Sequence, residues 1–277
     1  MTDQQPPAAD PEAPSDLPEW ALGSPEGRRI IELLWDPAAP TAGRGPKPKT
    51  SVAEVARAGV AIADAEGLEA LSMRKVAAEL GVGVMSLYTY VPGRTELLEL
   101  MVDRVYGDQV NPDPTLPWRA RLDRWARENW QLHLDHPWLL DYNSVRLPIG
   151  PNVLDVEEAL YSALADAGAR GSEIVALSNL VRWQLLGAAR STIGEQTEER
   201  YTGVSAEAYW DSRASFWVTY FDPERFPTML SIHEAGGFYD PLGWTFETML
   251  TRLLDGIEQL TSGPPRRDEA LPRLDHP

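Results

Sequence analysis

The stretch Leu71-Ser-Met-Arg-Lys-Val-Ala-Ala-Glu-Leu-Gly81-Val-Gly-Val-Met-Ser-Leu-Tyr-Thr-Tyr-Val91 decides how this chain is read. Ser72 is an N-cap residue type, and Ala77 and Leu80 fall on one face of the short helix that it starts. Gly81 ends that helix and permits a sharp turn, because glycine takes positive φ without strain. A second short helix follows from about Val84 to Tyr90. Val82 packs inward at the turn, and Leu87 and Val91 anchor the second helix, which leaves Val84, Met85, Ser86, Thr89 and Tyr90 on its open faces. Two short helices joined in this way predict a helix-turn-helix, whose second helix enters the DNA major groove.

The flanks carry the same period outward. Val52, Val55, Gly59 and Ile62 step by three and four from Ser51, and Gly67 stops that helix. Pro92-Gly93 breaks the chain before a helix from Arg94 to about Val110, and Asn111-Pro112-Asp113-Pro114 closes it. Helical patterns then run over Trp118–His136, Val153–Ala167, Ser172–Glu198, Ser205–Tyr220 and Trp244–Thr261, with a Pro/Gly-rich loop around Leu147 to Pro151. No strand alternation stands out, so the expected fold class is all-α. The expected organisation has four parts. Residues 1–49 are an acidic, proline-rich extension with a short helix over 22–35 (Ser24 as N-cap, Pro25 at the first position) and a basic linker. Residues 50–110 are the helix-turn-helix domain with its connecting helix, 111–262 a helical ligand-binding and dimerisation domain, and 263–277 a disordered polar tail.

Composition narrows the function. The 277 residues hold no cysteine, which excludes disulfides, thiolate metal sites and cysteine nucleophiles. No run approaches the ~18 apolar residues of a membrane span. The first twenty residues carry five acidic side chains and no Lys or Arg, unlike a secretory signal, so a cytoplasmic protein is expected. The net charge of −17 argues against nucleic acid only until it is resolved locally. Between Arg44 and Arg94, seven basic residues face five acidic ones, which makes the segment +2 and the remainder −19. DNA contact is therefore confined to that segment. Within it, Arg44, Lys47 and Lys49 lie on a Pro/Gly frame that suits either a basic arm in the minor groove or a solvated linker.

Residues 51 to about 103 resemble the DNA-binding domain of the tetracycline-repressor (TetR) family. The resemblance rests on Ile62-Ala-Asp-Ala-Glu-Gly67, Leu71 through Gly81, Leu87-Tyr88, and Gly93-Arg94 followed by Glu96-Leu97-Leu98. It implies a base-reading role for Arg74, whose fork matches guanine N7 and O6. It implies base-edge contacts for Val84, Met85 and Ser86, and phosphate contacts for Tyr88, Tyr90 and Arg94, with Thr89 on the same open face and Ser51 and Ser72 as helix-start anchors. Gly83, Val84 and Met85 depart from the family's usual polar or small residues, so thymine methyls rather than hydrogen bonds are the expected targets.

The resemblance further implies a double-stranded DNA operator, a homodimer and a small-molecule effector, with no cofactor, metal or membrane. Leu177, Leu180 and Val181 on one helix, with Met249, Leu253 and Ile257 on another, are the candidates for a four-helix dimer interface. Trp125, His133, Arg182, Trp183, Gln184, Tyr209, Trp217 and Tyr220 are the candidates for a largely apolar effector pocket between helices. His133 and His136 are spaced so that they could reach one metal, but a helix terminus, where histidines meet the dipole and His136-Pro137 stops the helix, is the preferred reading, and no metal site is expected. No His-Glu-x-x-His, Gly-x-Ser-x-Gly or phosphate-cradling loop is present, so no enzyme is expected. A DNA-binding helical protein that senses nothing, or a helical enzyme fused to the DNA-binding unit, remain the alternatives.

Overall fold

Capping residues mark out the helices. Ser24, Ser51, Ser72, Ser205 and Thr245 each accept a backbone N–H of the following first turn, satisfying donors that a helix start leaves unpaired. The computed structural model describes residues 24–36, 50–142, 146–238 and 245–262. Among these it is helical without strands. The helices are α1 (Pro25–Trp35), α2 (Val52–Glu66), α3 (Met73–Glu79), α4 (Val84–Tyr90), α5 (Arg94–Tyr106), α6 (Trp118–Asp135), α7 (Pro151–Asp166), α8 (Ser172–Thr202), α9 (Ala206–Asp211), α10 (Ser215–Thr219), α11 (Pro227–Glu234) and α12 (Phe246–Thr261).

The N-terminal unit is α2 to α5 around Val55, Val76, Leu87, Val91, Leu97 and Met101, all fully buried. Gly59 permits the close approach of α2 to α5, since a Cβ there would lie 2.6 Å from Met101 Sδ. The body is α6, α7, α8 and α12. Trp125 is buried at its centre and donates its indole N–H to the Val156 carbonyl at 2.8 Å, and Trp130 stacks on Phe246 with centroids 4.5 Å apart. Helix α1 lies against α5, with Leu33 and Leu34 buried and the Trp35 indole donating to the Ile149 carbonyl at 2.9 Å.

The structure corrects the sequence reading in two places. The helix expected over Ser205–Tyr220 is two short helices, α9 and α10. Between them the Ser212 hydroxyl and an Arg213 guanidinium N–H both donate to the Tyr209 carbonyl, competing with the backbone bond that would continue the helix. Helices α9, α10 and α11 contain no buried residue. The second correction concerns the interface candidates. Leu177, Val181 and Ile257 are buried inside the single chain, Ile257 with 0% exposure, so they belong to the subunit's own core and offer no surface to a partner. Leu180 is exposed, and Met249 and Leu253 are half-buried.

Candidate functional site

The helix-turn-helix is built on Gly81, whose φ of 65° lies in the left-handed region. Leu87 and Val91 are fully buried beneath α4, while Met85, on its opposite side, is 80% exposed. Ser86, Tyr88 and Thr89 are exposed with it, and Val84 and Tyr90 are half-buried at its edges. The Thr89 hydroxyl donates to the Ser86 carbonyl at 2.7 Å, which leaves its oxygen as an acceptor. Arg74 is exposed near the start of α3, and none of the ion pairs among the described residues uses it. Its neighbour Lys75 pairs with Glu66. This surface presents an exposed guanidinium on α3 and, on α4, an exposed Met85 among the hydroxyls of Ser86, Tyr88 and Thr89, side chains suited to a guanine edge, a thymine methyl and phosphate oxygens.

Other DNA-facing candidates have structural work of their own. Ser51 accepts the Glu54 N–H at 3.2 Å and Ser72 the Lys75 N–H at 3.3 Å, as N-caps of α2 and α3. Arg94 donates to the carbonyls of Leu71 (3.2 Å) and Leu68 (2.9 Å), and so ties the head of α5 to the segment before α3. Arg44, Lys47 and Lys49 lie outside the described residues.

A cavity of about 600 Å³ opens in the body. Glu157 and Tyr161 line it from α7, and Asn179, Arg182, Trp183, Leu186 and Arg190 from α8. Leu139, Leu140, Tyr142 and Leu147 complete the wall from the segment between α6 and α7. Arg182 and Glu157 form a bidentate pair at 2.6 and 2.7 Å. Burial pushes the nearby Tyr106 phenol, on α5, well above its ordinary range. Of the eight candidate effector contacts, Arg182 and Trp183 line this cavity and the other six do not. Trp125 is core, and the buried His133 donates its Nδ1–H to the Asn129 carbonyl at 2.7 Å. Gln184 turns to Met249 on α12. Trp217 lines a separate apolar cavity with Trp210, Phe216 and Phe238, while Tyr209 and Tyr220 are exposed on the same outlying module. The eight candidates are therefore not gathered in one pocket: two line the body cavity, where Glu157 and Arg190 join them, and Trp217 lines the aromatic one.

Two connections tie that cavity to the helix-turn-helix unit. The short 3₁₀ turn Pro137–Leu140 supplies Leu139 and Leu140 to the wall. From the same turn Trp138 donates its indole N–H to the Asp64 carboxylate on α2 at 2.8 Å, and His136 Nδ1 lies 2.7 Å from the same oxygen. The second connection is Asp103 on α5. Its buried carboxylate accepts the Val153 N–H at 3.0 Å and the Asn152 side-chain N–H at 2.9 Å, capping α7. Burial raises the Asp103 pKa above the ordinary 3.8, against those hydrogen bonds, which lower it.

Glu157, Tyr161 and Arg190 were not among the sequence candidates. The signal for Arg190 was present: Asn179, Arg182, Trp183, Leu186 and Arg190 recur at helical spacing on α8, a stripe with two arginines inside an apolar helix. Glu157 reads as one of many acidic positions until the fold brings it to Arg182. The imidazoles of His133 and His136 are engaged with Asn129 and Asp64 respectively. No described helix is long and apolar enough to cross a membrane.

Known proteins share this architecture. The family model described as "Bacterial regulatory proteins, tetR family" matches residues 55–101, and that described as "Tetracyclin repressor-like, C-terminal domain" matches 111–261. The HTH-type transcriptional repressor DrrR1 of Streptomyces coeruleorubidus is 41% identical over 254 residues, covering 90% of this chain and 92% of the relative. An HTH-type transcriptional regulator of Saccharopolyspora erythraea is 32% identical over 165 residues, 59% of this chain and 64% of its own. The crystal structure of the Streptomyces coelicolor TetR family protein ActR in complex with actinorhodin superposes with a TM-score of 0.66 at 25% identity, covering 78% of this chain and 98% of that one. Family models spanning both domains and a relative matched over nearly its whole length leave one assignment: the chain belongs to the TetR family of transcriptional regulators.

Proposed function

We propose that this protein is a one-component repressor that binds a near-palindromic operator as a homodimer and releases it when a small molecule enters the body cavity. The observation that carries this reading is the 3₁₀ turn Pro137–Leu140, which walls the cavity with Leu139 and Leu140 and grips Asp64 of the DNA-binding unit through Trp138. An occupant that displaces this turn changes how α2 is held. A ligand shifts the equilibrium only by its differential affinity for the two states, and a wall shared with the DNA-binding unit supplies such a difference.

Dimerisation follows from the reading of α8 and α12. Leu180 and Gly187 on α8, with Met249, Leu253, Gly256 and Leu260 on α12, form helical stripes that the subunit's own core leaves wholly or partly uncovered. A Cβ on Gly187 or Gly256 would meet nothing within 4 Å, which leaves room for a partner helix to approach closely. Two recognition helices on one duplex explain how so short a reading helix gains useful specificity.

The test starts from selection of bound duplexes out of a random pool, which should return an inverted repeat. The labelled duplex is then titrated with protein, and the complex with actinorhodin, the molecule that the ActR structure holds. Loss of anisotropy at ligand concentrations that also quench tryptophan fluorescence supports the reading. Binding to the protein without release of DNA contradicts it.

A further inference from the structure

The charge of the cavity wall runs against the charge of the chain. The protein carries −17, yet the charged side chains lining the cavity are Arg182, Arg190 and Glu157. Arg182 and Glu157 cancel through their bidentate contact. Arg190 is exposed and donates Nη2 to the Leu140 carbonyl at 2.9 Å. That bond fixes the guanidinium without neutralising it, and none of the ion pairs among the described residues uses Arg190. A neutral carbonyl partner leaves most of the donors and the whole charge for a ligand.

Trp183 sits two turns before Arg190 on the same helix and is 69% exposed while lining the cavity. Seven residues of helix separate them by about 10 Å along the axis, a span that a fused polycyclic ring covers. We propose that Arg190 is the specificity residue of this cavity, which selects a flat aromatic molecule with an anionic oxygen, a carboxylate or ionised phenol, at the end that meets Arg190 while its rings lie against Trp183. This rests on the reading of the cavity as the effector site. A cationic ligand has no equivalent partner, because both Glu157 oxygens are held by Arg182 and breaking a largely buried pair leaves a charge uncompensated.

The probes are anthracene-2-carboxylate, neutral 2-(hydroxymethyl)anthracene and cationic 2-(aminomethyl)anthracene, bound to the full chain and followed by tryptophan quenching at low salt. The carboxylate should bind about tenfold more tightly than the alcohol, with the amine weakest, and the preference should shrink as salt rises. Arg190→Gln should bring the acid-to-alcohol ratio close to one, and Arg190→Lys should keep part of it. Leu186→Trp, checked for folding by thermal unfolding, should fill the cavity and weaken all three. Equal binding of acid and alcohol by the unaltered protein, or a ratio that survives Arg190→Gln, overturns the role of Arg190 alone. Failure of all three probes to bind, or binding that ignores Leu186→Trp, overturns the effector cavity itself and this proposal with it.

Discussion

The Asp103 carboxylate on α5 accepts the backbone N–H of Val153 at the head of α7, 3.0 Å away. The contact is tight by construction, since a Cβ on Gly150 would lie 2.1 Å from the same carboxylate oxygen. Helix α5 packs against α2 of the DNA-binding unit, and α7 carries Glu157 and Tyr161 of the cavity wall. One side chain therefore caps the helix of one unit from the helix of the other.

Asp103→Ala should remove the acceptor from the Val153 N–H and cost about 1–3 kcal/mol, the range for an orphaned buried donor. Gly150→Ala should act in the same direction by displacing the carboxylate. Urea unfolding checks both. Unchanged midpoints would mean that α7 needs no cap from α5.

Arg74→Ala should cost about 1–3 kcal/mol on the selected operator and much less on random duplex, because base contacts specify while phosphate contacts position. Equal losses on both would remove its base-reading role. Arg94→Ala should weaken binding to both duplexes alike. It should also lower the unfolding midpoint, since Arg94 holds the Leu68 and Leu71 carbonyls.

Much of the helix-turn-helix was legible because its determinants are local. Ser72, Gly81, Leu87 and Val91 lie within one stretch, and cap, turn and anchor act on their sequence neighbours. The cavity was not legible for the opposite reason. Glu157 meets Arg182 across 25 residues and Asp64 meets Trp138 across 74, and only the packing of separate helices makes those pairs. The stripes on α8 and α12 failed differently. Periodicity reports that Leu177, Val181 and Ile257 are buried but not by what, and the subunit's own core claims them. The break between α9 and α10 was hidden because Ser212 and Arg213 are ordinary helix-surface residues until their side chains take the Tyr209 carbonyl.

Two buried groups should give the stability opposite slopes with pH. Burial, the main cause, holds His133 below its ordinary 6.5. The unfolded chain then takes up the proton first, so stability present above pH 6.5 is lost as pH falls from there through the lowered folded value. His133→Gln should flatten that limb. Asp103, raised chiefly by burial, binds its proton more readily in the fold, so stability falls as pH rises from 3.8 through the folded value. Asp103→Asn should flatten this second limb. Denaturation midpoints across the pH range read both slopes, and a His133→Gln profile parallel to that of the unaltered protein would contradict the first.

Leu180→Asp should convert a dimer to monomer in sedimentation while leaving the subunit folded, because Leu180 is 42% exposed on α8. Leu253→Asp should act in the same direction from α12. A dimer unchanged by both would place the interface elsewhere.

The central claim is that the cavity and the operator are energetically coupled, and a closed thermodynamic cycle tests it most directly. Calorimetry would measure anthracene-2-carboxylate binding to free and operator-bound protein, and operator binding with and without saturating anthracene-2-carboxylate. The account predicts that each weakens the other by the same factor, of about tenfold or more, and that Asp64→Ala, which frees α2 from Trp138, reduces both factors together. Binding of that probe in the cavity while operator affinity stays unchanged would contradict it.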